Sequence, residues 1–150
     1  MRRFTAVLTT AALLGVGCTS TRITTAPSPP LDLSGTWKGA FAVQGVPAEM
    51  TWTLAQTGTA VTGPMLVKLP NGIVLLNGSV TGTLTGSSLA YTISVGPQGI
   101  PSQPACVGQL GGTMTATVGA TSTLTGSYTV FSATCTPPFG ASGDIVLTRT

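Results

Sequence analysis

Histidine is absent from the 150 residues, and only nine residues are charged, six Lys or Arg and three Asp or Glu. The usual general bases and metal-ligand clusters are therefore nearly missing, so catalysis, cofactor chemistry and metal binding are the least supported classes, and no catalytic or metal residue is expected. The formal charge of +3 is too thin a field to hold a polyanion such as nucleic acid. Long hydrophobic runs are also missing: Phe4 to Val16, broken by Thr5, Thr9 and Thr10, is too short to span a bilayer as a stable helix. Abundant instead are threonine, 28 residues, and glycine, 20, in a chain that is 42% hydrophobic. That composition argues for a folded chain built of strands. At this length it is one domain.

Met1, Arg2 and Arg3 form a short positive segment ahead of the apolar run, the pattern of a secretory signal over residues 1–17. The run ends at Leu13-Leu14-Gly15-Val16-Gly17-Cys18, which resembles the lipobox of bacterial lipoproteins. The resemblance implies that Cys18 is lipidated and becomes the first mature residue. Gly15 stands where that motif usually has a large aliphatic residue, with Leu14 one step before it. The implied location is the cell envelope, lipid-anchored to the outer membrane and facing the periplasm. The alternative is an ordinary secreted protein cut nearby.

Removing the signal takes Arg2 and Arg3 with it. Arg22, Lys38, Lys68 and Arg149 then stand against Asp32, Glu49 and Asp144, four against three, or +1. No basic patch survives to bind nucleic acid or anionic lipid. With Cys18 assigned to lipid, Cys106 and Cys135 remain as an even pair in an oxidising compartment, where a disulfide persists. Their loop, residues 106 to 135, is worth about 3 to 4 kcal/mol in the chain-entropy model.

Residues 18–33 hold the lipidated cysteine and a Pro/Thr-rich linker without apolar periodicity. As a flexible coil it places the domain about 20 Å from the anchor. The domain is expected over residues 34–150. Eight period-two segments follow: Thr36 to Val43, Glu49 to Gln56, Val61 to Lys68, Ile73 to Leu84, Leu89 to Val95, Cys106 to Val118, Thr123 to Phe131, and Gly143 to Arg149. Thr57-Gly58, Pro70-Asn71-Gly72, Gly86-Ser87-Ser88 and Gly119-Ala120 supply turn chemistry between them.

Alternation assigns faces. Trp37, Phe41 and Val43 share one parity, as do Met50, Trp52 and Leu54; Val61, Met65 and Val67; Leu89, Tyr91, Ile93 and Val95; and Leu124, Tyr128 and Val130. The other parity is largely Thr, Ser, Lys and Glu, so one face is buried and the other wet. Glu49, Lys38 and Lys68 read as outward surface charges. Ile73 to Leu76 is apolar on both parities and is expected to pack outward on a partner or a loop. An aliphatic-Thr-Gly triplet recurs at Val61, Val80, Leu84 and Leu124, with its glycine inward where a closing sheet must bend. The fold class expected is all-β, an eight-stranded antiparallel up-and-down meander closed into a barrel. A barrel inserted in the membrane is disfavoured by the Thr-rich outward face.

Ser34-Gly35-Thr36-Trp37 on the first strand and Leu147-Thr148-Arg149 on the last resemble the lipocalin and avidin group of barrels. The resemblance implies that Trp37 packs near the closed end beneath Arg149. Many small bacterial envelope lipoproteins are also similar, with a segment like Trp52 to Gly58. Two tryptophans are too few for an avidin-type pocket. Two functional readings follow. In the first, the barrel carries a small apolar ligand at its open end, against Trp52, Tyr91, Tyr128 and Met65. In the second, the barrel is filled and offers a surface to an envelope protein partner.

Overall fold

The computed structural model describes residues 31–137 and 140–150. The signal segment, Cys18 and the linker up to residue 30 lie outside the described residues. Eight strands follow in order: β1 Gly35–Val43, β2 Val46–Thr57, β3 Ala60–Lys68, β4 Val74–Thr85, β5 Ser88–Val95, β6 Gly108–Thr117, β7 Thr123–Ala133 and β8 Ser142–Arg149. Each pairs antiparallel with the next, and β8 returns to β1, so the sheet is a closed meander barrel. The described residues are all-β, an eight-stranded antiparallel meander closed into a barrel, as the alternation predicts. No helix among the described residues is long and apolar enough to cross a membrane.

Strand alternation builds the core directly, because a period of two sends every second side chain inward. Trp37, Met50, Trp52, Val61, Met65, Leu89, Ile93, Met114, Leu124, Ile145 and Leu147 are all buried there. The outward charges behave as surface groups: Lys38 and Glu49 form an ion pair at 3.0 Å on the outer wall, both largely exposed. Closure needs close approach between strands, and the recurring triplets supply it. A Cβ built at Gly63 would fall on the Thr53 carbonyl oxygen, one at Gly82 would lie 2.7 Å from the Ala90 oxygen, and one at Gly126 would fall on the Thr113 oxygen. The fourth triplet glycine, Gly86, instead makes the turn between β4 and β5, with φ +60°.

Gly63 is followed by Pro64, which has no N–H to give a neighbour. The β2–β3 ladder skips this point, passing from the Trp52–Met65 pair to the Ala55–Thr62 pair. Proline is thus placed where the ladder is interrupted, the one setting that tolerates it inside a sheet.

The two ends differ. Three short connections, residues 58–59, 86–87 and 118–122, lie at the end where the chain enters; the other four, 44–45, 69–73, 96–107 and 134–141, lie at the far end. Two details depart from the sequence reading. The folded part begins before Ser34: Leu33 is completely buried at the entry end, and Leu31 packs partly against the core. Two leucines among prolines carry no periodicity, which is why the linker reading absorbed them. At the far end, Ile73 lies in a loop and is 55% exposed, whereas Leu76 is buried and Leu75 partly so. The apolar quartet is therefore split: its last residue joins the core and its first faces solvent.

Candidate functional site

The entry end is closed by a short plug. Leu33 sits beneath the barrel, and its carbonyl accepts the Trp37 indole N–H at 2.8 Å. The Gln56 amide reads the same segment twice: its Oε1 accepts the Leu33 N–H at 2.8 Å, and its Nε2 donates to the Leu31 carbonyl at 2.9 Å. Arg149 donates to the carbonyls of Asp32 and Ser34, while its guanidinium carbon lies 5.2 Å from the Trp37 ring centroid. Trp37 and Arg149, the two residues singled out by the lipocalin resemblance, are thus direct neighbours. The Asp32 carboxyl is held below the usual carboxylate range by the Ser34 N–H, then the Ser34 hydroxyl, with a smaller contribution from Arg149.

The far end is closed as well. Residues 96–107 fold across it, and Ile100 and Cys106 from this loop are buried in the core. Cys106 is bonded to Cys135, which joins the two longest far-end connections. The bond leaves the strands themselves uncrosslinked and stiffens only the rim.

Three of the four candidate ligand contacts meet at Trp52, and the fourth, Tyr128, packs on Phe41. Trp52 and Met65 are cross-strand partners. The rings of Trp52 and Tyr91 lie 5.1 Å apart at 57°, and Tyr128 lies 5.8 Å from Phe41. Tyr91 donates its hydroxyl to the Ser127 carbonyl at 3.1 Å. Burial pushes the Tyr91 phenol well above its ordinary value, with the neighbouring Tyr128 adding to the effect, and burial raises Tyr128 too. These side chains pack on one another and on the core, as buried aromatics do.

Space decides what such a cluster can hold. A half-open cavity of about 20 Å³ lies at the far rim among the described residues, against Ile100, Leu110, Val130 and the disulfide. That is room for about one water, whereas ligand sites run to several hundred Å³. The larger hollows, such as those of about 680 and 480 Å³, are open grooves on the outer wall. Among the described residues one buried side-chain polar atom lacks a partner, the indole Nε1 of Trp52. Among the described residues no group of three His, Cys, Asp or Glu is placed to hold a metal ion.

Sequence reasoning missed two features. One is the plug, whose signal was the Leu-Asp-Leu run ahead of Ser34. The other is Phe131, which is 61% exposed and sits at a register shift in the β6–β7 ladder, where Leu110 pairs with Val130 but Gln109 with Ser132. Its outward parity was legible; the bulge was not. Comparison with known proteins finds no matching family model, and no significant match among curated proteins or solved structures.

Proposed function

We propose that this chain is a lipid-anchored, non-catalytic component of a bacterial envelope, whose filled barrel acts through its outer surface as an interaction module. The observation that supports this reading is the double closure of the barrel, by Leu33 at one end and Ile100 at the other, with room for about one water in the cavity beneath the far rim. The anchor rests on the lipobox-like run ending at Cys18. Because the described chain enters at the plug, the disulfide-joined rim is the end of the barrel opposite that entry. Two exposed apolar residues, Val46 and Ile73, lie in connections or strand ends of that rim.

Fractionation tests the anchor. Cys18→Ala should move the protein from the membrane to the soluble fraction, and a variant that stays with the membrane removes the lipoprotein reading. The filled interior is tested by native mass spectrometry of the chain taken from its own envelope, where the bare mass is expected. The carrier reading has one observation in its favour, the unpaired Trp52 indole N–H. A recurrent additional mass of a small apolar molecule would put that reading first.

A further inference from the structure

Charge is distributed very unevenly along this barrel. Between Lys68 and Asp144 there is no Asp, Glu, Lys or Arg. Strands β4 to β7 and their connections therefore present an outer wall without a single charged side chain, whereas Lys38, Glu49 and Lys68 all belong to β1 to β3. Solubility on the uncharged side rests on hydroxyls. Cross-strand pairing aligns them into a row, Thr62 with Thr81, Thr81 with Thr92, Thr92 with Gly111 and Gly111 with Thr129. The step along the row is the strand spacing, about 4.8 Å.

Gly111 is the gap in that row, and Phe131 fills it. Gly111 has outward parity yet is buried, and the atom of Phe131 nearest to a Cβ built there would be ring Cε2, at 3.2 Å. A bulge re-aims a side chain in this way by adding a residue to one strand. The phenyl group thus lies across β6 while most of its surface stays open to solvent. Beside it runs a groove of about 480 Å³, lined by Thr81, Thr83, Thr92, Thr113 and Phe131.

We propose that this groove binds a neutral oligosaccharide chain, a site beyond the rim assigned above. An exposed aromatic ring offers an apolar seat for the C–H face of a pyranose. Threonine hydroxyls at its sides both donate and accept, which matches sugar hydroxyls. Their spacing across strands is close to the length of one sugar unit in an extended glycan. The absence of charge suits an uncharged polymer and gives an acidic or basic one nothing to pair with. A protein partner is disfavoured here, since stable protein interfaces centre on several desolvated apolar anchors, and this groove has Phe131 alone.

The test is isothermal titration calorimetry on the full-length chain, held in a detergent without a sugar headgroup, with cellohexaose and chitohexaose as probes. At least one should bind, and Phe131→Ala should weaken it about tenfold or more, while Phe131→Trp retains binding. Thr92→Val should weaken it as well, and Val118→Ala at the entry end should leave it unchanged. Circular dichroism of each variant confirms that the barrel is intact. The proposal is overturned if neither sugar binds at millimolar concentration, or if Phe131→Ala binds like the parent. It also fails if sedimentation shows Phe131 serving self-association in place of sugar binding. None of these outcomes touches the Cys18 anchor, which fractionation tests separately.

Discussion

Arg149 and Trp37 meet twice: they are cross-strand partners where β8 returns to β1, and the guanidinium lies 5.2 Å from the indole ring centroid. The seam they occupy has only two register pairs, this one and Lys38 with Thr148. Arg149 therefore contributes to closure as well as to the plug, through the Asp32 and Ser34 carbonyls. Arg149→Ala should lower stability by about 2 to 3 kcal/mol, from the lost cation–π contact and the unpaired carbonyls, as read from the urea midpoint. Arg149→Lys should lose less, because the ammonium keeps a positive charge by the ring but lacks the planar guanidinium that stacks on the indole while its Nη2 donates to both carbonyls.

Gln56 holds the plug with both atoms of its amide. Gln56→Ala should cost about 1 to 2 kcal/mol and speed hydrogen exchange at the Leu33 amide far more than at core amides such as Ile93. Gln56→Glu should be worse at neutral pH, since a carboxylate offers nothing to the Leu31 and Gly58 carbonyls that the Gln56 Nε2 now satisfies. Equal exchange rates at Leu33 in parent and variant would show that the amide does not hold the segment.

Gly63 has no room for a methyl group against Thr53. Gly63→Ala should destabilise by about 3 kcal/mol or more, because the obstruction is backbone and cannot rotate away. Gly96 is the matched control, with nothing within 4 Å of a Cβ built there, and Gly96→Ala should stay within about 0.5 kcal/mol. Thermal melts of the two variants compare them directly.

The buried tyrosines make the fold sensitive to alkali. Tyr91 and Tyr128 hold their protons in the folded chain above the ordinary phenol value of 10.0. Above that pH the unfolded chain releases protons that the folded chain keeps, so stability is full below pH 10 and falls as pH rises further. Tyr91→Phe should flatten this fall, and at neutral pH cost about 1 kcal/mol for the lost bond to Ser127. Urea midpoints measured across the alkaline range give both effects.

The strands were legible because burial on one face imposes a period of two, and turn residues such as Gly58 and Gly86 mark where each run stops. Closure was suggested by the triplet glycines, three of which, Gly63, Gly82 and Gly126, sit where neighbouring backbones crowd, while Gly86 serves a turn. Ile73 to Leu76 resisted reading because an apolar run at a strand end belongs partly to the loop and partly to the core. Leu33 resisted it because a plug is made by long-range contacts, to Trp37 and Gln56, and not by local pattern. Tyr91 could be placed inward from parity, but its Ser127 partner 36 residues away could not. Phe131 depends on a bulge, and bulges leave no periodic trace.

The meander also sets the order in which the barrel can form. Seven of its eight ladders join consecutive strands, so hairpins can zip together early, with little loop-closure entropy to overcome. The eighth must wait for β8, whose Arg149 reaches partners 115 and 117 residues away. Until it docks, the sheet has two free edges, at β1 and at the last strand formed, and free edges recruit other chains. Slow closure at Trp37 and Arg149 would then appear first as aggregation of newly made chains, well before any loss of stability in those that have folded.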